Sequence, residues 1–205
     1  MTIREVVRSP YVWGMLIGIV TLTAIRPLLH RVPELPPVIG HAPEFALVDS
    51  DGRPYGSVQL KGQVYIVSFF FTSCRSICPA IMHGMARLQA RLDERGIDGI
   101  RLLSISVDPE HDTPDVLRTY GNDLAVEPER WTLLTGDPET IRAVVVDGFK
   151  TPLVPATATP AGPIEIAHTG KVVLVDGSGG IRGYYDSDDM GLDEVFNRAQ
   201  DVLLK

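Results

Sequence analysis

Phe69-Phe70-Phe71-Thr72-Ser73-Cys74-Arg75-Ser76-Ile77-Cys78-Pro79 holds both cysteines of the chain. The apolar run Val64 to Phe71 reads as a buried strand. Ala80 to Arg95 reads as an amphipathic helix, with Ile81, Met85, Leu88 and Leu92 at spacings of three and four. Two thiols therefore sit where a strand turns into a helix. If the first turn is helical, Cys74 and Cys78 are i and i+4 and face the same way. Cα atoms four apart on a helix lie about 6 Å apart, within reach of a disulfide. The same pair can instead present two thiolates to a soft metal ion. A helix N-terminus and Arg75 both favour the thiolate. The competing reading is two ordinary buried cysteines, but a solitary pair at this junction points to chemistry.

Outward from this stretch, strands and helices alternate. Phe45 to Val48 reads as a short strand, Asp49-Ser50-Asp51-Gly52 as a turn, and Val58 to Leu60 as a second short strand. Gly96 stops the helix that follows the cysteines, and Ile100 to Val107 is another buried strand. In Asp108-Pro109-Glu110-His111-Asp112-Thr113-Pro114, Thr113 suits an N-cap and Pro114 the first position of a helix running to about Tyr120. Trp131 to Leu134 reads as a strand and Pro138 to Asp147 as a helix begun at Asp137. Lys150 to Ile166, with four prolines, reads as an irregular excursion. Lys171 to Val175 and Ile181 to Tyr185 flank Asp176-Gly177-Ser178-Gly179-Gly180, a hairpin signal, and Leu192 to Leu204 closes the chain as a helix. This order predicts an α/β fold with a mixed sheet flanked by helices. With paired cysteines at the first long strand-to-helix junction, it looks thioredoxin-like.

The chain has 205 residues, 22% of them charged, and a net charge of -7. Residues 1–42 carry Arg4, Arg8, Arg26 and Arg31 against Glu5 and Glu34, a net +2, so the remainder carries -9. So acidic a body argues against nucleic acid as a partner. Ser9 to Ile25 holds no charge, and its 17 residues span about 25 Å as a helix, the short end of what crosses a bilayer. Three segments are expected: an N-terminal transmembrane anchor over 1–26, a proline-rich tether over 27–42, and a globular domain over 43–205. The flanking arginines tip the balance towards a cytoplasmic N-terminus. That places the domain on the periplasmic side of a bacterial-type inner membrane, ahead of a mitochondrial inner membrane as the setting.

Thr72-Ser73-Cys74-Arg75-Ser76-Ile77-Cys78-Pro79, then Ser106-Val107-Asp108-Pro109-Glu110-His111-Asp112-Thr113-Pro114, then His168-Thr169 before Val172-Val173-Leu174-Val175-Asp176, resembles the Sco/SenC family. The resemblance covers roughly Phe45 to Leu204. It implies a membrane-anchored, thioredoxin-like copper protein that assists maturation of the dinuclear copper centre of cytochrome c oxidase. By match, the implied copper ligands are Cys74, Cys78 and His168. The implied partner is the copper-acceptor subunit of the oxidase or another copper protein. The family often has proline after the first cysteine, where this chain has Arg75. A cation there disfavours a bound copper ion while favouring thiolates.

The residues themselves fit this. Two thiolates and an imidazole are a soft ligand set suited to Cu(I) or Cu(II). Structural zinc usually takes a fourth protein ligand, and the chain has no third cysteine. Thiol-redox relatives of the fold carry a cis-proline where this chain has His168-Thr169. His83, five residues past Cys78 on the helix, points away, and His111 reads as a surface residue. His30 and His41 fall in the tether. Met82 and Met85 read as packing residues. Asp108 and Asp112 read as loop and capping residues, with a partner-facing acidic patch as the rival. A thiol-disulfide oxidoreductase, in which Cys74 attacks and Cys78 resolves, is the alternative function. A thioredoxin-fold peroxidase ranks lower, because Phe71 and Val67, three and seven residues before Cys74, supply no polar activating group.

Overall fold

The computed structural model describes residues 10–29, 35–155, 164–166 and 170–204, with only the backbone of 24–29, 154–155 and 164–166. It divides into two compact units, Met1–Glu34 and Leu35–Lys205. Within the first, helix α1 spans Pro10–Leu29. Most of its described apolar side chains stand exposed, among them Tyr11, Trp13, Ile17, Val20 and Leu22. The expected transmembrane span is not found: among the described residues, no helix is long and apolar enough to cross a membrane.

The second unit is built on an eight-stranded mixed sheet. Its strands are β1 Gly40–His41, β2 Ala46–Asp49, β3 Pro54–Gly56, β4 Val64–Phe70, β5 Ile100–Ser106, β6 Trp131–Thr135, β9 Lys171–Val175 and β10 Gly180–Asp186, ordered β1-β10-β9-β4-β5-β6-β2-β3. β4, β5 and β6 are parallel, and β9 runs antiparallel to β4. All seven residues of β4 are buried, which is why the run is apolar apart from Ser68 rather than alternating. Helices α2 Cys78–Glu94, α3 Pro114–Asp123, α4 Pro138–Arg142 and α5 Asp189–Leu203 complete the fold. A two-stranded ribbon, β7 Leu153–Pro155 with β8 Ile164–Ile166, stands apart from the main sheet.

Buried polar groups at the sheet centre satisfy one another. Trp131 Nε1 donates to Ser104 Oγ at 2.9 Å, and the Ser104 and Ser68 hydroxyls are hydrogen-bonded to each other at 2.7 Å. An unpaired indole or hydroxyl there would carry its full desolvation cost.

Four expectations are corrected. Val58 to Leu60 is not a strand: Ser57–Leu60 forms a 3₁₀ turn after β3, and Gly56 N–H donates to Gln59 Oε1. Three residues are too few for periodicity to separate the two. Residues 35–42 are not wholly a tether: Gly40 and His41 pair with β10, and Arg182 donates to the Pro36 carbonyl at 2.8 Å. Edge pairing needs only backbone groups, so composition does not announce it. The helix expected to Asp147 is α-helical to Arg142 and continues as a π-helix over Ala143–Gly148. The excursion 150–166 contains the β7–β8 ribbon.

Candidate dithiol and metal site

The site lies at the carboxyl ends of the parallel strands, where α/β sheets characteristically bind ligands. Phe70 pairs with Ser106 at the end of the β4–β5 ladder, and Val107 N–H donates to the Phe70 carbonyl. The cysteine segment and the Asp-Pro segment therefore leave the sheet side by side. Because β9 is antiparallel to β4, its beginning lies at the same edge.

The helix does not start at Cys74. It starts at Cys78, with Ile77 as N-cap and Pro79 in the first turn. Ile77 has no oxygen with which to cap, and Pro79 has no N–H to satisfy. The Cys78 N–H donates instead to Cys74 Sγ at 3.4 Å, so the first thiol takes the place of a capping oxygen. Cys74 N–H donates to the Phe71 carbonyl, closing the preceding turn. Both cysteines are free thiols, Cys74 half-buried and Cys78 buried in the main core.

Their environments push the two thiols apart. Partial burial alone would raise Cys74, but hydrogen bonds from Cys78 and Ser76 outweigh it and hold the thiol below its ordinary range. Cys78 is pushed well above its ordinary range, first by burial and then by its hydrogen bond to Cys74. Tyr120, stacked on Phe70 with ring centroids 5.6 Å apart, is pushed up to about 12 by burial and by its neighbours Cys78, Cys74 and Asp112.

His168 lies outside the described residues. Gly170, two residues further on, is described and packs against the cysteine segment: a Cβ at Gly170 would come within 2.7 Å of Ile77 Cδ1. His83 Nδ1 donates to the Pro79 carbonyl at 2.6 Å, and the exposed His111 donates to Asp108 at 2.9 Å. His41 lies in β1, and His30 falls outside the described residues. Met82 and Met85 are fully buried, as packing residues should be. Arg75 is exposed.

The Asp-Pro segment is no partner-facing patch: Asp108 and Asp112 are both buried. Asp112 accepts from the Thr72 N–H at 3.0 Å, from the Thr72 hydroxyl and from the Ser106 hydroxyl. Thr113 precedes α3 in extended conformation, but its side chain makes no capping bond. Thr72 and Ser106 enter the sequence reading only as the first residues of their motifs and Tyr120 only as a helix end; the sequence assigns none of them a place at the dithiol.

A strand-to-helix dithiol with split thiol environments, on a mixed sheet flanked by helices, defines a thioredoxin-like dithiol protein. The profile of the SCO1/SenC family matches residues 37–203, and the chain belongs to that family. It is 34% identical over 142 residues to a protein of Stutzerimonas stutzeri described as copper-binding, covering 69% of this chain and 67% of that one. The structure resembles that of a SCO1/SenC family lipoprotein from Bacillus anthracis, with TM-score 0.73 and 26% identity over 82% of this chain and 99% of the other. It also resembles BsSco, a member of the Sco family of cytochrome c oxidase assembly proteins in which a disulfide switch was identified. There the TM-score is 0.71 and the identity 27%, over 82% of this chain and 95% of that one.

Proposed function

We propose that this protein is a copper metallochaperone that holds copper through Cys74, Cys78 and His168 and delivers it to the dinuclear copper centre of cytochrome c oxidase. The observation that carries the reading is the packing of Gly170 on Ile77, between the two cysteines. It supports a third ligand reaching the thiols from the loop before β9. Two thiolates and a neutral imidazole are a soft donor set that favours copper over zinc, which would want a fourth ligand. Cys74 is the more accessible thiol and Cys78 the buried one. An acceptor's own thiolates and imidazoles therefore displace Cys74 first. Exchange with a partner disulfide, which takes up the two electrons and two protons and is reduced to two thiols, forms a Cys74–Cys78 disulfide and removes both sulfur ligands, so redox state gates loading.

The split between the thiols favours a second reading, a thiol-disulfide oxidoreductase in which Cys74 attacks a partner disulfide and Cys78 resolves the mixed disulfide. Attachment to a bilayer through the exposed apolar helix α1, with the domain on the periplasmic side of a bacterial-type inner membrane, belongs to the same proposal. Fractionation and protease accessibility of whole cells test it.

The deciding experiment is an anaerobic titration of the reduced chain with Cu(I) against a competing chelator, beside His168→Ala and Cys78→Ser. One tight equivalent, weakened in both variants, is expected. No competitive binding, with disulfide reductase activity surviving His168→Ala, would leave the oxidoreductase standing alone.

A further inference from the structure

We infer that Asp112 is a positioning residue for the dithiol: its buried carboxylate fixes the loop that carries Cys74 against the end of β5. This deepens the proposed copper reading and rests on it for its meaning.

The observations are geometric. Asp112 is fully buried, and its three side-chain donors are one backbone amide and two hydroxyls. Its two oxygens divide the work. Oδ2 takes the Thr72 N–H and the Ser106 hydroxyl, and Oδ1 takes the Thr72 hydroxyl. Thr72 lies two residues before Cys74, and Ser106 is the last residue of β5. Ser106 Oγ also accepts from Asp108 N–H at 3.1 Å, so the Asp-Pro segment is clamped at both ends. The carboxylate is therefore a brace between two loops that the parallel ladder leaves side by side. A buried carboxylate costs desolvation that a brace of ordinary amides would avoid. What it offers is two acceptors in one plane at fixed separation, which hold a loop by its backbone and its side chain together. Cys74 owes its place over the Cys78 N–H to that loop, because Ile77 cannot cap α2 itself. The arrangement of the dithiol is thus decided from the loop that follows β5.

The test uses the whole chain and three substitutions. Thr72→Val removes one donor and keeps both the Asp112 charge and the Thr72 amide. Asp112→Asn removes the charge and places an NH₂ where a donor already points. Asp176→Asn is the control: Asp176 is a buried carboxylate that binds the Ser178 and Gly180 amides and Arg182, remote from the cysteine segment in sequence and in its bonds. Three quantities are read: the thermal midpoint, the rate of iodoacetamide labelling at Cys74, and the Cu(I) dissociation constant by chelator competition.

Support consists of a changed Cys74 labelling rate in Thr72→Val, with copper affinity weakened by up to about 10- to 100-fold, the range for losing a group that orients a metal ligand. Asp176→Asn then lowers the midpoint and leaves both other readings at wild-type values. If Thr72→Val and Asp112→Asn behave like Asp176→Asn, losing stability with labelling and affinity unchanged, the inference is overturned and Asp112 is only part of the framework. Should Asp112→Asn fail to fold, Thr72→Val decides. Labelling is read without copper, so a wild type that binds no copper sinks the functional reading alone and leaves this inference to be judged on Cys74.

Discussion

Replacing Gly170 with alanine separates two physical effects that meet at the site. Gly170 has φ of +36°, a region that L residues enter at a cost of about 1–2 kcal/mol. Its Cα also faces Ile77 so closely that a Cβ would lie 2.7 Å from Ile77 Cδ1. That atom is the end of a flexible side chain, so Ile77 yields by leaving its rotamer, at about 0.5–1.5 kcal/mol. Together the loss is about 1.5–3.5 kcal/mol, and at 2–4 °C per kcal/mol for a chain of this size the midpoint falls by roughly 3–14 °C. The two parts come apart in a double-mutant cycle with Ile77→Val, which removes Cδ1. The double variant recovers the rotamer part and keeps the backbone part, leaving a coupling of about 0.5–1.5 kcal/mol. Thermal unfolding of the four proteins measures it. Strictly additive losses would refute the reasoning, because Gly170 would then not rest on Ile77. Copper affinity measured on the same set shows whether displacing Ile77 carries through to Cys78.

The remaining predictions concern the thiols, the core and the acid limb. Iodoacetamide at neutral pH labels Cys74 before Cys78, and the Cys74 rate levels off at a lower pH than for a free cysteine at about 8.5, because hydrogen bonds from Cys78 and Ser76 hold its thiol down; mass spectrometry of partly labelled protein checks the order, and equal labelling would contradict it. Ser104→Ala strands Trp131 Nε1 in the core, leaves Ser68 Oγ only its 3.5 Å bond to the Leu103 carbonyl, and lowers stability by about 1–3 kcal/mol in urea unfolding; a loss under about 0.5 kcal/mol would mean that other partners take over. Asp176 has its carboxyl below the ordinary range: burial opposes this, but the Ser178 hydroxyl, the Gly180 amide and Arg182 outweigh it. A group depressed by folding stabilises above its unfolded pKa and loses that contribution as pH falls through the folded value. The stability gap between wild type and Asp176→Asn is therefore full at neutral pH and closes below about pH 4; a gap independent of pH would refute it.

Much of this protein was legible in one dimension because local chemistry is itself one-dimensional. A short, β-branched and aromatic run bounded by turn residues reads as a strand covered on both faces, and Val64 to Phe71 became β4 within one residue. Asp137 reads as a cap from its type and place, and it does accept the Thr140 N–H at 2.9 Å. The closeness of Cys74 to Cys78 and the succession of the long strands and helices needed nothing beyond spacing. The family resemblance, carried by three short motifs, needed nothing more either.

What escaped was whatever depends on which backbone or side-chain group ends up beside which. Gly40 and His41 join the sheet because the β10 edge is free to pair, and composition carries no trace of that. Thr113 reads as well as Asp137 for a cap, yet its hydroxyl makes no such bond. Asp112 reads as a loop carboxylate until the parallel register of β4 and β5 lays its loop against Thr72. The sequence by itself determined the dithiol, the order of elements and the family. Only the tertiary structure decided that Cys74 caps the helix begun by Cys78 and that Asp112 holds the loop in place. Spacing along the chain specifies neighbours within a few residues, whereas contacts across forty residues exist only once strands have aligned.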